Sequence, residues 1–201
     1  MPRIIGVTGN IACGKTSVGQ MLLEMGAERY IDADAVVHRL YQAGQAIAVQ
    51  VAVTFGPAVM YADGSVNRAA LGEVVFHDAA LMQRLESIVH PAVGVAIAQE
   101  LAEVSPTGIA IIDAVKLLEG GSAMFCQSKW LVICREEQEL ARLMARNQLS
   151  REEAEARLRA QPSVEARIRL VDEVINNGGS LDETRTQVAA AFARFRTRFP
   201  A

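Results

Sequence analysis

The chain has 201 residues, with 20 Lys and Arg against 23 Asp and Glu, for a formal net charge of −3 and a pI near 5.7. That balance argues against nucleic-acid binding as the main business; no apolar run is long enough to cross a membrane, and the N-terminus shows no signal-peptide pattern. Cys13, Cys126 and Cys134 are an odd set without CxxC spacing, which disfavours a metal site or a disulfide scaffold and fits reduced thiols in a cytoplasmic protein.

Ile4-Ile5-Gly6-Val7-Thr8 reads as a buried strand. The stretch that follows, Gly9-Asn10-Ile11-Ala12-Cys13-Gly14-Lys15-Thr16, fits G-x-x-x-x-G-K-[ST], and Ser17 to Met25 carries apolar residues at helical spacing. Strand, glycine loop and helix are the context that makes this pattern a phosphate-binding loop rather than a glycine-rich turn. Backbone N–H groups from Asn10 to Thr16 would wrap a phosphate, and the helix would point its positive end at the same anion. Lys15 would reach the outer phosphates of a nucleotide, and the Thr16 hydroxyl would hold Mg²⁺.

Gly26 stops the first helix. Arg29-Tyr30-Ile31 reads as a second strand running into Asp32-Ala33-Asp34, with helices after it over about 35–42 and 46–55. Asp63-Gly64 is a turn signal. From Asn67 to about Val104 the pattern is helical, with Asn67 and Asp78 as N-caps and a break at His90-Pro91. Ile109 to Asp113 and Leu131 to Cys134 are continuous apolar runs, expected of strands buried on both faces of a parallel sheet. Residues 135–169 are rich in alternating Glu and Arg. They predict two short helices joined near 147–150, the second opened by the capping box Ser150-Arg151-Glu152-Glu153, and with few apolar residues they suit a mobile lid. Asp172 to Asn176 is a final strand, and Ser180-Leu181-Asp182-Glu183 opens a last helix. The order predicts an α/β fold with a parallel sheet of about five strands flanked by helices: a core over 1–60, 106–134 and 170–201, a helical substrate-binding insertion over 61–105, and a helical lid over 135–169.

Ligands of open α/β sheets sit beyond the carboxyl ends of the strands. Asp32 and Asp34 lie at such an end. Either could serve as the base that takes a proton from an attacking hydroxyl, and either could simply cap the next helix. Arg142 and Arg146, four apart, share a helix face: they could clamp a transferring phosphoryl group from a lid, or form part of a solvated face.

The chain resembles the dephospho-coenzyme A kinase family nearly end to end. The motifs that carry the resemblance are Thr8 to Thr16; Ile31-Asp32-Ala33-Asp34 with His38 after it; Phe55-Gly56; Asp63-Gly64 followed by Arg68 and Leu71; His90-Pro91-Ala92-Val93; Glu139-Leu140-Ala141-Arg142 with Arg146; Ala160-Gln161; and Asp172-Glu173-Val174-Ile175-Asn176-Asn177-Gly178. The resemblance implies a P-loop kinase that uses ATP and Mg²⁺ to phosphorylate the ribose 3′-hydroxyl of dephospho-coenzyme A. It implies Asp34 as base, Lys15 and Arg142 at the transferred phosphate with Arg146 beside them, and Asn177 near the adenine. His38, Arg68, His90 and Glu119 fall to the acceptor side. For His38 a plain surface position, and for His90 a turn-holding role before Pro91, are the competing readings. Where the family has Asp-x-Pro-Leu-Leu-Phe-Glu after the third strand, this chain has Asp113-Ala114-Val115-Lys116-Leu117-Leu118-Glu119, which keeps both acids and gains a lysine; Glu139 stands where the family has glutamine. Another small-molecule or nucleoside monophosphate kinase would share the loop and lid but not the D-x-D-x-x-x-H and His-Pro motifs. A GTPase switch would carry Asn-Lys-x-Asp after a late strand, which is absent here. The partner implied is a small-molecule substrate, with no nucleic acid and no membrane; neither a monomer nor a homo-oligomer is favoured.

Overall fold

A parallel five-stranded sheet frames the computed structural model, which describes residues 1–201. The strands are β1 (Arg3–Thr8), β2 (Arg29–Asp32), β3 (Ile109–Asp113), β4 (Ser128–Ile133) and β5 (Glu173–Asn176), in the spatial order β2-β3-β1-β4-β5. The expected α/β class and strand count are both found. β1 is central: Val7 lies beside Asp113 on one side and Trp130 on the other. Its position explains the unbroken apolar runs, since Ile5, Val7, Ile111 and Leu131 are fully buried and a central parallel strand has no solvent face.

Helices α1 (Lys15–Glu24) and α9 (Leu181–Arg198) pack together. They bury Val18, Met21, Leu22, Val188, Phe192 and Phe195 with the sheet residues Ile5, Val7, Ile109, Ile111, Trp130 and Val132. α9 starts at the predicted capping box: Glu183 N–H donates to Ser180 Oγ at 3.2 Å, and Ser180 N–H donates to Glu183 Oε2 at 2.7 Å. The connection leaving β1 runs towards β2 and that leaving β4 runs towards β5, so the sheet's switch point lies between β1 and β4. A crevice for a ligand is expected there.

The charged stretch forms three helices, α6 (Glu136–Asn147), α7 (Arg151–Arg159) and α8 (Val164–Ile168), where two were expected. The Ser150 capping box is present, and Arg151 and Arg159 each pair with Glu155 one turn away, as a solvated face should. The stretch also has an apolar anchor that its composition hides. Leu140, Leu143, Ala154 and Leu158 are buried, with Ile11 and Ala12 of the glycine loop packed against them.

The contacts divide the chain into 1–32 with 101–201, and 33–100. Helices α2 (Ala33–Leu40) and α3 (Ala46–Phe55), expected in the core, thus fold with α4 (Arg68–Val75) and most of α5 (Ala79–Ala102). Asn67 caps α4 and Asp78 caps α5, as predicted. Between α3 and α4, Gly64 takes a φ of 84°, and Ser65 N–H donates to Asp63 Oδ1 at 2.8 Å. The predicted break at His90-Pro91 does not occur, and α5 runs through Pro91. A proline inside a helix loses one backbone bond and costs about 3 kcal/mol. Buried Val89, Val93 and Ile97 on the flanking turns offset this, at about 1.5–3 kcal/mol per buried side chain. No helix is long and apolar enough to cross a membrane.

Candidate active site

The glycine loop leaves β1 at Thr8 and enters α1 at Lys15. Ala12 (φ 64°) and Gly14 (φ 98°) both take left-handed backbone, which turns successive N–H groups inward as an anion nest. At Gly14 the requirement is double, because a Cβ there would also collide with Asn177 Nδ2. Ala12 bears the conformation with a side chain, at a cost of about 1–2 kcal/mol, and strain of this kind gathers where a loop is shaped for a ligand. Lys15 Nζ donates to the Gly9 and Asn10 carbonyls at 3.2 and 3.4 Å, folding back over the loop.

A cavity of about 520 Å³ opens on this loop, lined by Ala12, Gly14, Lys15, Thr16, Arg142 and Arg146. The fold thus brings together four residues assigned from sequence: Lys15, Thr16, Arg142 and Arg146. Arg142 Nη1 reaches the Ala12 carbonyl at 3.4 Å, and Arg146 Nε donates to its neighbour Asn147 Oδ1 at 3.1 Å. Three positive charges, Lys15, Arg142 and Arg146, thus line one basin, with the buried Glu139 carboxyl within electrostatic reach of Lys15. A larger cavity, about 710 Å³, lies at the carboxyl ends of β4 and β5 between Cys134-Arg135 and Gly178-Gly179. Asn177, expected near an adenine, is 4 % exposed. Its Nδ2 donates to the Cys13 carbonyl at 2.8 Å, and its Oδ1 accepts from the Thr184 hydroxyl at 3.0 Å. In this structure it braces the glycine loop.

Around the loop, sequence singled out neither Tyr30 nor Arg167, while the strand-end acid Asp113 and the motif residue Glu139 were named there without their contacts. Tyr30 donates its hydroxyl to Asp113 Oδ2 and accepts from the Thr16 hydroxyl, and its phenol is pushed far up by burial and by the Asp113 charge. Asp113 ends β3 and is buried. Arg167 and Glu139, both inside the charged stretch, are buried as well, at 2 % and 4 % exposure. Burial pushes the Glu139 carboxyl up and the Arg167 guanidinium down. Gln161, quoted above as part of a motif, accepts from the Ile11 N–H at 3.3 Å. No spacing rule marks a buried arginine in an Arg-rich helix; only the contacts do. Cys13 is fully buried, and burial pushes its thiol up to about 12, so it is a packed, inert group.

In the unit over 33–100, Asp34 lies in the first turn of α2 rather than at its cap, and both Asp34 and His38, one turn on, are exposed. Arg68, the first residue of α4, meets the His38 ring, so two residues assigned to the acceptor side form one pair. His90 is exposed on α5, and with no turn before Pro91 the turn-holding role falls. In the other unit, Glu119 is exposed in the loop after β3 and lies within electrostatic reach of Arg167. Lys116 is exposed, while the Val115 carbonyl accepts from the Thr8 hydroxyl at 3.0 Å.

The family model described as dephospho-CoA kinase matches residues 3–183. The chain belongs to the dephospho-CoA kinase family. Among curated relatives, a dephospho-CoA kinase from Symbiobacterium thermophilum is 45% identical over 192 residues, covering 94% of this chain and 80% of its own length. One from Carboxydothermus hydrogenoformans is 38% identical, with 96% and 94% covered. A solved structure from Thermus thermophilus superposes with a TM-score of 0.82 at 33% identity, covering 96% of this chain and 97% of that one. Two further structures share the fold: a Campylobacter jejuni dephospho-CoA kinase (TM-score 0.57, 24% identity) and a shikimate kinase from Acinetobacter baumannii (0.53, 15%). Membership places the glycine loop and its three converging cations in a kinase, a transferase of phosphoryl groups, which is the chemistry that such a basin suits.

Proposed function

We propose that the chain transfers the terminal phosphoryl group of ATP to the ribose 3′-hydroxyl of dephospho-coenzyme A, giving coenzyme A and ADP. The observation that carries this reading is the basin that Lys15, Arg142 and Arg146 line together with Ala12, Gly14 and Thr16 of the glycine loop. Phosphoryl transfer demands little covalent help: it needs the phosphates held in line and the developing charge on the equatorial oxygens matched. Lys15 gives up the Gly9 and Asn10 carbonyls for the outer phosphates, and the two guanidinium groups take equatorial oxygens.

Asp34, two residues past the end of β2, is the proposed base for the acceptor hydroxyl; its place in the D-x-D motif and its exposure in the first turn of α2 support the assignment. The His38–Arg68 pair, with His90 and Glu119, is assigned to the acceptor. The oxygen donors Thr16 and Asp113, tied into one chain by Tyr30, fit a hard cation such as Mg²⁺. When bound, that ion would neutralise phosphate charge. The cavity between Cys134-Arg135 and Gly178-Gly179 is assigned to the adenosine of ATP.

An ADP-release assay with dephospho-coenzyme A, AMP, adenosine and shikimate as rival acceptors tests the reading. Preference for dephospho-coenzyme A supports it. Equal turnover with AMP would point instead to a nucleoside monophosphate kinase on the same scaffold.

A further inference from the structure

Arg167 is the most buried charged side chain of the molecule, and the transfer chemistry above makes no use of it. Its Nη2 donates to the Asn10 side-chain oxygen and to the Pro162 carbonyl, the latter at 3.0 Å. Its Nε and Nη1 are buried without a hydrogen-bond partner. As a core residue this is a poor choice, since buried charge is expensive unless fully paired. What the arrangement does achieve is a fixed amide. Asn10 presents its carbonyl oxygen to Arg167 and its Nδ2 to Glu139 Oε2 at 3.2 Å. A donor stands on one side and an acceptor on the other, so only one orientation of the amide satisfies both. Asn10 in turn shapes the loop through its backbone carbonyl, which accepts from Cys13 N–H at 3.3 Å and from Lys15 Nζ at 3.4 Å.

We propose that Arg167 is a positioning residue for phosphate binding, acting through Asn10 in charge balance with Glu139. The proposal rests on the kinase reading of the glycine loop. Arg167 and Glu139 grip Asn10 from two helices, α8 and α6, and α6 also carries Arg142. The grip therefore ties the lid arginine and the phosphate loop to one reference point. Arg167 faces Glu119 most strongly and Glu139 as well, and its balance with Glu139 matters because Glu139 is itself buried. The groups facing its carboxyl are Arg167 and Lys15, which hold it down together with the Asn10 bond, and Glu136, which adds to the upward push of burial; the thiols of Cys13 and Cys134 lie within the same reach.

Without the Arg167 charge, ionised Glu139 loses a favourable neighbour, so the carboxyl protonates at higher pH and ceases to be a clean acceptor for Asn10. Arg167→Met should weaken ADP binding about tenfold or more, lower kcat/KM for ATP, and move the acidic limb of the kcat/KM profile to higher pH. Adding Glu139→Gln to Arg167→Met should abolish that pH shift and recover part of the affinity, because an amide can still accept from Asn10 without carrying charge. On an Asn10→Ala background, Arg167→Met should add little further loss, since the two act as a unit.

The experiment is calorimetric ADP binding and a pH profile of turnover for wild type, Arg167→Met, Arg167→Lys, Asn10→Ala and the two double variants, each checked by thermal unfolding. Arg167→Lys keeps the charge and is read in place of Arg167→Met if the latter does not fold: it should keep the wild-type pH profile while binding ADP more weakly. Wild-type affinity in the Arg167 variants would overturn the proposal. So would a loss that is equal at every pH, additive with Asn10→Ala and unrelieved by Glu139→Gln. A wild-type protein that binds no ADP would instead overturn the kinase reading, so the two failures are distinguishable.

Discussion

Asn177 Nδ2 donates to the Cys13 carbonyl at 2.8 Å, which fastens the loop after the last strand to the middle of the phosphate loop. The other end of the same amide takes the hydroxyl of Thr184, a residue with no solvent exposure. One buried side chain thereby fixes the approach of α9 to the nucleotide site and forbids any side chain at Gly14. Asn177→Ala should lower stability by about 1–3 kcal/mol, the usual effect of leaving buried polar groups unpaired, and should weaken ATP binding. Urea unfolding and ADP titration check this. An unchanged midpoint with unchanged affinity would remove the brace.

Arg142 and Arg146 line the same cavity as Lys15, but Arg142 alone touches the phosphate loop, at the Ala12 carbonyl. Arg142→Ala should lower kcat by about a hundredfold or more with ADP affinity largely kept, because the proposed transfer uses its charge as charge develops on the transferring group. Arg146→Ala should have a smaller effect on kcat. Lys15→Ala should weaken nucleotide binding and slow transfer together. Steady-state kinetics with separate ADP binding measurements separate the three.

Asp34 offers a carboxylate in the first turn of α2. Asp34→Asn keeps the shape and removes the proposed base, so kcat should fall by on the order of a hundredfold or more with little change in ATP binding. Turnover at the wild-type rate would take Asp34 out of the reaction and leave it a helix-terminus charge.

The thiols make a prediction about pH. Burial disfavours the thiolate and pushes both Cys13 and Cys126 up to about 12, so at pH 8 only on the order of one molecule in ten thousand carries either thiolate. Cys134 is also raised by burial but is partly exposed. Iodoacetamide at pH 8 should therefore label Cys134 first, and labelling of Cys13 should become appreciable only as the pH approaches its raised value. Peptide mass mapping reads the order. Early modification of Cys13 would contradict the packed-thiol account.

The sheet was legible because a strand buried on both faces leaves an uninterrupted apolar run: Ile109–Asp113 was bounded correctly from sequence alone. The glycine loop was legible because its chemistry fixes its spacing. Pro91 misled, because a local steric rule was overridden by the burial of Val89, Val93 and Ile97 around it. Arg167 was invisible for the opposite reason. In a stretch dense with Arg and Glu, a solvated face is the ordinary outcome, and only folding shows that one arginine turns inward to Asn10. The apolar anchor under α6 and α7 was missed likewise, since Leu140, Leu143, Ala154 and Leu158 come from two helices and become one cluster only in space.

The central claim is that this basin phosphorylates one hydroxyl of one acceptor. The most direct measurement is phosphorus–proton NMR of the product formed from ATP and dephospho-coenzyme A. A phosphomonoester coupled to the ribose 3′ proton, formed with one ADP per product and formed more slowly, by about a hundredfold or more, in Asp34→Asn and Arg142→Ala, is the predicted result. Phosphate on another oxygen, or no phosphorylated acceptor while ATP is consumed, would contradict it.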